Sequence, residues 1–219
     1  MKTVTVSSLL AIPCSLQMNN LQKHYQQINE LKGRPELLIH ICCGVCSVYP
    51  LQYLRQYFRI TIFFSNSNIY PFEEFERRLD ALRSYLDYLD DPEIKLIVDG
   101  YDNEGYTKKL SQYKDEPEGG KRCRICYRLR MEETFRYASK HKYAYCTTVM
   151  SISNRKNADW INEIGTELQK KYPDTTYLYA DFKKDDGITR NDELNRKLNL
   201  YHQNYCGCIY SLAKRNNER

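Results

Sequence analysis

The stretch LLIHICCGVCS, residues 37–47, joins a short apolar run to three closely spaced cysteines. Its first part, Leu37–Cys42, is continuous and β-rich, as is Ile60–Ser65 further along the chain. Runs of this length without alternating polar residues are typical of strands that are buried on both faces of a parallel sheet. Gly44 then lets the backbone turn closely into a helical segment. The stretch therefore predicts a buried strand whose carboxyl end carries the cysteines.

Strand-like and helix-like runs alternate through the rest of the chain. Three further strand-like runs are Lys95–Val98, Ala144–Val149 and Thr176–Ala180. The helical segments between the strands are Ser47–Tyr57, Pro71–Leu89, Arg124–Lys142, Arg155–Lys171 and Thr189–Leu198. This alternation predicts an α/β fold with a Rossmann-like parallel sheet, right-handed crossovers and flanking helices. Ligands of such sheets bind outside the carboxyl ends of the strands.

Seven of the nine cysteines fall into three tight groups: Cys42-Cys43-x-x-Cys46, Cys123-x-x-Cys126 and Cys206-Gly-Cys208. A lone cysteine is usually a small buried hydrophobe, and we expect Cys14 and Cys146 to be bystanders of that kind. Soft thiolates at these spacings favour iron–sulfur clusters, zinc or copper(I), which makes all seven candidate metal ligands. Disulfides are the alternative, but in a cytosolic protein such clusters more often indicate metal or redox chemistry. We therefore expect a metal site at the carboxyl ends of the strands.

The remaining features indicate a cytoplasmic protein with one large domain. Residues 1–35 are predicted to be a partly helical N-terminal extension, with a helix from Asn19 to Leu31, and residues 36–219 a single α/β metal-binding catalytic domain. No apolar run approaches the roughly 18 residues of a membrane span, so no membrane partner is expected. The apolar segment Val4–Pro13 is short and lacks a clean cleavage site, unlike a secretory signal.

The charge of the chain permits a nucleic-acid partner without requiring one. Lys and Arg number 33 against 28 Asp and Glu, which gives a net charge of +5. Basic residues surround the second cysteine group and follow the last predicted strand, where they could flank one opening and hold RNA phosphates. They are Lys121, Arg122, Arg124, Arg128, Lys183, Lys184 and Arg190. The aspartates Asp181, Asp185 and Asp186 are predicted to lie in a solvated loop and not in the metal site.

Several segments together resemble one family, the epoxyqueuosine reductases of the QueH type. The segments are HICCGVCS (40–47), FSNSNIYP (64–71) with the EEFERRL that follows, EPEGGKRCRICYRLRMEETF (116–135), CTTVMSIS (146–153), YADFKK (179–184) and LYHQNYCGCIYS (200–211). The resemblance runs from about Asn19 to the C-terminus, and its most specific parts are the basic run around Cys123 and the QNYCGC segment. Val45, Ser67 and Tyr70 depart from the family pattern, and these changes leave the cysteines intact.

The resemblance implies a reductase for the last step of queuosine biosynthesis. Its substrate would be a tRNA with a GUN anticodon that carries epoxyqueuosine at the wobble position, and the epoxide would be reduced to an alkene. Two electrons and two protons are required, which implies a redox metal centre and an unidentified electron donor. For this family the cofactors would be a 4Fe–4S cluster and an adjacent iron, or zinc in its place. The Ser-Gly-Gly-x-Asp-Ser loop of ATP-using relatives is absent from the sequence.

The resemblance also suggests roles for individual thiols. A tandem cysteine pair followed by a distant C-x-x-C is the cluster pattern of sulfonucleotide reductases, which suggests Cys42, Cys43, Cys123 and Cys126 as cluster ligands. The other thiols would hold or border the second metal and leave an open position for the epoxide oxygen. These catalytic candidates are Cys46, Cys206 and Cys208. His40 alternates inward within a buried strand and is predicted to be a satisfied core histidine, not a ligand.

Two functions of other classes could use the same cysteines. A structural-metal RNA-binding module, such as a zinc ribbon, would hold its metal in closed four-thiol sites and need no redox activity. A thiol-based sulfonucleotide-type reductase would need one exposed thiol of low pKa and a resolving partner, but not all seven cysteines. Iron and sulfide content after anaerobic purification distinguishes both from an iron–sulfur reductase.

Overall fold

A five-stranded parallel sheet forms the centre of the computed structural model, which describes residues 18–217. Its strands are β1 (Glu36–His40), β2 (Arg59–Phe64), β3 (Lys95–Val98), β4 (Tyr145–Thr148) and β5 (Thr176–Tyr177), in the spatial order β3-β2-β1-β4-β5. The central strand β1 pairs with both β2 and β4, so that Leu37 lies opposite Ile60 on one side and Tyr145 on the other. The predicted Rossmann-like parallel sheet is confirmed.

Helices cover both faces of the sheet. Within residues 18–217 they are α1 (Asn20–Asn29), α2 (Gly44–Leu54), α3 (Phe72–Leu89), α4 (Asn103–Leu110), α5 (Lys121–Lys140), α6 (Ala158–Lys171), α7 (Gly187–Leu198) and α8 (Ile209–Asn217). α2 packs with α3 and α7, and α5 packs with α6 and β4. None of the helices in this part of the chain is long and apolar enough to cross a membrane.

The central strand β1 is buried on both faces because an apolar layer packs against each side. Leu37 and Ile39 belong to the layer shared with α2 and α3, whereas Leu38 belongs to the layer shared with α5 and α6. The three side chains have no exposed surface. Both faces of the strand therefore require apolar residues, which explains why the run in the sequence is continuous and does not alternate.

Three helices, α2, α5 and α7, begin earlier than predicted, and the differences in α2 and α5 concern cysteines. α2 begins at Gly44 and not at Ser47, so Cys46 lies in its first turn. α5 begins at Lys121 and not at Arg124, so the second cysteine group lies in its first turns. Glycine has a low helix propensity, which favours the prediction that α2 begins after Gly44. In the folded chain, tertiary packing of the helix ends outweighs that propensity.

The strand β5 is shorter than the predicted run Thr176–Ala180, because side chains replace its backbone partners. The Tyr179 N–H donates to Gln27 Oε1 (2.9 Å), and the Ala180 N–H donates to Asn162 Oδ1 (3.1 Å). The predicted elements also omit α4 and α8, which are short and polar. Neither presents enough apolar positions for its periodicity to be recognised.

The helix α1 packs beside β5 and forms hydrogen bonds with the residues that follow β5. It spans Asn20–Asn29, within the predicted helix Asn19–Leu31. His24 is buried, and its Nδ1 lies 2.6 Å from the carbonyl oxygen of Tyr179. This contact joins the first described helix to the parallel sheet. Cys14, predicted to be a bystander, lies outside the described residues.

Gly44 determines how closely α2 can approach α3. A Cβ atom at this position would lie 2.6 Å from the carbonyl carbon and oxygen of Ala81. We therefore expect Gly44→Ala to push the two helices apart and to lower the free energy of unfolding by about 2 kcal/mol, as in overpacked cores. Denaturant unfolding measures the change. Gly100→Ala is the matched control, because nothing lies within 4 Å of its Cβ position. Equal stability of the two variants would contradict the close approach.

Candidate metal centre

The first cysteine group lies where the order of the strands in the sheet reverses. β2 and β3 follow β1 towards one edge, and β4 then returns to the other side of β1. In such a sheet the crevice at this switch point is the usual ligand site. Cys42 and Cys43 follow β1, Cys46 lies in the first turn of α2, and their three buried Sγ atoms lie within 4.8 Å of one another. The N-terminal end of α2 favours the thiolate form.

The second cysteine group lies in the first turns of α5 and receives hydrogen bonds on sulfur. The Cys123 Sγ accepts from the backbone N–H of Gly119 (3.2 Å), and the Cys126 Sγ accepts from the Tyr106 hydroxyl (3.3 Å). Burial raises the pKa of both thiols. The two donors oppose this effect, because a hydrogen bond to sulfur stabilises the thiolate. Both thiols can therefore serve as ligands once a metal displaces their protons.

The third cysteine group lies in an irregular segment that is held by Arg78 of α3. The Arg78 guanidinium is buried and donates to the carbonyl oxygens of Tyr205 (3.1 Å) and Cys206 (2.9 Å). Gly207 has a φ of 120°, and a Cβ atom there would lie 2.9 Å from Arg78 Nη1. The turn between Cys206 and Cys208 thus requires glycine both for its backbone conformation and for the approach of Arg78.

The three groups face a common region but do not form one compact set of sulfur atoms. A cavity of about 270 Å³ is lined by Cys42, Cys46 and Cys206, which brings members of the first and third groups together. Cys206 also interacts electrostatically with the thiols of Cys123 and Cys126. Within residues 18–217, only the first group brings three ligand atoms within 4.8 Å of one another. The second group therefore lies near the cavity without joining the compact set.

The surroundings favour one thiolate in the first group. Interactions with the thiols of Cys43 and Cys46, together with the positive charge of Lys156 and Arg130, hold the pKa of the Cys42 thiol well below its usual value. Burial raises the pKa of Cys43 to about 12, and the interaction with Cys42 raises that of Cys46. The surroundings thus favour the thiolate form of Cys42 at the point where a metal would bind.

Two buried cations border these thiols without a carboxylate partner among the described residues. Lys156 is 9% exposed and lines the cysteine cavity, and its Nζ has no hydrogen bond or ion pair within residues 18–217. Arg130 is 2% exposed, donates to Asn66 Oδ1 (2.8 Å) and contacts His40 Nε2 (3.3 Å). Sequence reasoning missed both, because lysine and arginine are usually exposed and no motif marks an exception.

His40 is a hydrogen-bonded core histidine, as predicted. Its Nδ1 lies 2.8 Å from the hydroxyl oxygen of Thr148, and its Nε2 contacts the Arg130 guanidinium. Burial and the charge of Arg130 lower the pKa of the imidazole to about 3, so the ring is neutral at pH 7. Both ring nitrogens are occupied, which leaves neither free for a metal.

Comparison with known proteins assigns the chain to a family. The sequence model of the family described as Epoxyqueuosine reductase QueH matches residues 37–214. The chain belongs to this family. The protein of that name from Staphylococcus aureus is 36% identical over 214 residues, which cover 92% of this chain and 89% of the relative. Those from Streptococcus pyogenes serotype M1 and Thermotoga maritima are 36% and 31% identical, covering 81% and 82% of this chain and 71% and 91% of the relatives.

Two positions that are expected to depart from the QueH pattern have defined contacts. The Ser67 hydroxyl accepts from the N–H of Asp102 (3.0 Å) and donates to the carbonyl of Gly100 (3.3 Å), which fixes the loop after β3. Tyr70 is 38% exposed, and its carbonyl accepts a hydrogen bond from the Tyr205 hydroxyl. The backbone at Tyr70 thus supports the third cysteine group, while its ring remains accessible to solvent.

Several basic residues that were predicted to hold RNA phosphates are engaged by the protein itself. Arg122 is buried and donates to backbone carbonyls in the segment 113–116, so it is not available to RNA, contrary to the prediction. Arg124 and Arg128 form ion pairs with two glutamates of α6. A run of basic residues in the sequence does not reveal which of them the fold itself uses.

The segment after β5 is also packed against the protein. The Lys183 ammonium donates to the carbonyl of Lys156 (3.1 Å) and lies 3.8 Å from Asp181. The Asp185 carboxylate accepts a hydrogen bond from the Tyr25 hydroxyl of α1. Asp181 and Asp185 line a small cleft against α1 and not the cysteine cavity. The aspartates thus lie away from the candidate metal centre, as predicted; Asp185 and Asp186 are exposed to solvent, also as predicted, whereas Asp181 is half-buried.

Proposed function

We propose that this chain reduces the epoxide of epoxyqueuosine to the alkene of queuosine, at the wobble position of tRNAs with a GUN anticodon. The observation that carries the proposal is the cavity lined by Cys42, Cys46 and Cys206 in a member of the QueH family. In the overall reaction two C–O bonds break, a carbon–carbon double bond forms, and the oxygen takes up two protons and leaves as water. Two electrons are consumed, so a metal centre and an external electron donor are required.

The donor set fits a thiolate-bound metal centre. Thiolates favour iron–sulfur clusters and zinc, and Arg130 and Lys156 supply the buried positive charge that fully deprotonated thiols need. We assign a 4Fe–4S cluster to Cys42, Cys43, Cys123 and Cys126, and an adjacent iron, or zinc in its place, to Cys46, Cys206 and Cys208. When bound, these groups would supply electrons and a Lewis acid for the epoxide oxygen.

The cavity suits a single nucleotide that has left the anticodon stack. Its volume of about 270 Å³ lies just below the range for small-molecule sites, about 300–1,000 Å³. A whole anticodon loop is too large, so the modified base would have to be splayed out of the RNA. Asn154, Asp192 and Gln203 line the same cavity and offer hydrogen-bond donors and acceptors to the edge of the base.

Incubation with modified tRNA tests the proposed activity. Protein purified without oxygen and loaded with iron and sulfide is mixed with dithionite and tRNA that contains epoxyqueuosine, and the nucleosides are analysed by mass spectrometry. We expect queuosine to replace epoxyqueuosine over several turnovers. Adenylyl sulfate, the control substrate, should remain unchanged because the chain is not expected to act as a sulfonucleotide-type reductase. Persistent epoxyqueuosine with a fully loaded protein would refute the proposal.

Metal content separates the reductase from a structural-metal RNA-binding module. A reductase should contain iron and acid-labile sulfide, and dithionite should bleach its visible absorption. A structural module should take up only zinc, remain colourless and bind tRNA without changing it. The second outcome, from a preparation handled without oxygen, would replace the redox function by the structural one.

A further inference from the structure

The side chain of Lys156 is largely buried, and its ammonium forms no ion pair with a carboxylate in the part of the chain that the structure describes. Lys156 follows the turn Val149–Ile152 after β4, and its side chain lines the cavity together with Cys42, Cys46 and Cys206. It is 9% exposed, and neither a carboxylate nor a carbonyl within residues 18–217 accepts a hydrogen bond from its Nζ. A buried unpaired charge is strongly unfavourable, so such a group needs an anion nearby.

Within residues 18–217, no unpaired buried carboxylate is placed to supply that anion. Glu74, a buried carboxylate near the third cysteine group, is already paired with Arg78 and accepts a hydrogen bond from Tyr201, while Glu118 accepts from the Ser211 hydroxyl (3.5 Å). Asp192 lines the cavity but is exposed. Arg130 adds a second buried positive charge, with neutral hydrogen-bond partners. The buried charge around the cavity is therefore positive until the thiols lose their protons.

The thiols are the groups whose charge can balance these cations. Lys156 interacts electrostatically with Cys206, Cys42 and Cys46, and these interactions hold the pKa of its ammonium above the usual value despite burial. Arg130 interacts in the same way with Cys126, Cys42 and Cys206. Thiolates bound to a metal in this cavity would lie where their negative charge can balance both cations.

We propose that Lys156 is the counter-charge of the metal group bound by these cysteines and that it stabilises the reduced form of that group. The inference rests on the proposed metal centre and adds a role for a residue outside the ligand set. Each added electron makes a thiolate-bound cluster more negative, and a nearby cation in a medium of low dielectric lowers the energy of the more negative state. Lys156 thereby raises the reduction potential of the centre.

Redox titration of loaded protein tests this role. At a fixed potential we expect the ratio of reduced to oxidised centre to fall about tenfold in Lys156→Gln, which corresponds to about 59 mV for a one-electron couple. Lys156→Arg keeps the charge and should restore most of the ratio. Lys140→Gln removes the same charge from an exposed residue at the C-terminal end of α5, outside the cavity, where solvent screens it, and should change the ratio little. An unchanged ratio in Lys156→Gln, or no rescue by arginine, would overturn the proposal.

Cobalt binding provides a readout that does not depend on iron–sulfur chemistry or on the tRNA reaction. The apoprotein is titrated with Co²⁺ without oxygen, and thiolate-to-cobalt absorption reports occupancy. We expect Lys156→Gln to weaken Co²⁺ binding about tenfold, as for other residues that surround metal ligands. If this loss occurs but epoxyqueuosine is not reduced, the proposed function fails while the counter-charge role stands. Unchanged affinity overturns the counter-charge role whatever the tRNA assay gives.

The stability of the apoprotein distinguishes a counter-charge from a structural residue. Without metal, Lys156 is a buried charge that lacks a full complement of thiolates, so Lys156→Met should leave the apoprotein as stable as the parent or more stable. Loading with metal should then raise the unfolding temperature less in the variant than in the parent. Failure of the Lys156→Met apoprotein to fold would overturn the proposal, because it would make the lysine a requirement of the fold itself.

Discussion

Anaerobically prepared Cys42→Ala protein should contain no iron–sulfur cluster and should not reduce epoxyqueuosine. The neighbouring thiols, Lys156 and Arg130 all stabilise the thiolate of Cys42, so this substitution removes the negative charge at the centre of the site. We expect acid-labile sulfide and the visible absorption of thiolate-bound iron to fall to background. Cys146→Ala should retain both. Cys146 is equally buried, but it lies in the apolar layer shared with α5 and α6.

Cys206→Ala separates the two proposed metal positions. If Cys206 holds the second metal, the variant should keep the sulfide and visible absorption of the cluster, lose one iron per chain, and lose the reductase activity. Circular dichroism shows whether each variant has folded. Two results would contradict the assignment of these thiols: loss of the cluster in Cys206→Ala, or unchanged iron content in Cys42→Ala.

The fold could be predicted from the sequence because its central strand carries an unambiguous pattern. The continuous apolar run at Leu37–Cys42 indicates burial on both faces, and β3 occupies the predicted residues Lys95–Val98. Local sequence patterns do not predict where an element ends when a side chain from a distant part of the sequence sets that end. β5 ends early because Gln27 of α1 and Asn162 of α6 take over its backbone hydrogen bonds. Those contacts join residues that are far apart in the sequence.

The cysteines of the candidate site could be predicted, but the charges around them could not. Cysteine spacing is a local signal, and the order of strands and helices places the first group at the carboxyl end of β1. No local sequence pattern, by contrast, shows that a single lysine or arginine will be buried. Arg122 is buried against its own loop, whereas Arg130 reaches Asn66, which lies 64 residues earlier. Lys156 is buried because the chain after β4 turns towards the cavity.

Arg78→Met should destabilise the protein and release the third cysteine group from its place. Arg78 and Glu74 form an ion pair of 2.7 Å whose side chains are 3% and 5% exposed. Removing one partner of a buried pair typically costs about 3–5 kcal/mol, because the other charge stays buried and uncompensated. The carbonyls of Tyr205 and Cys206 also lose their donors. We expect a lower midpoint of denaturant unfolding, rapid proteolysis near Cys206 and loss of bound metal.

The double variant Glu74→Gln/Arg78→Met separates the buried charge from the support of the cysteine turn. It leaves no uncompensated carboxylate, and the Tyr201 hydroxyl, which donates to Glu74 Oε2 (2.7 Å), can still donate to the glutamine carbonyl. Stability should therefore recover for the most part. Metal binding should not recover, because the carbonyls beside Gly207 still lack the guanidinium. Full metal binding in the double variant would mean that the turn is rigid without Arg78. A stable double variant that binds no metal would mean that α3 positions the third cysteine group through the Arg78 side chain.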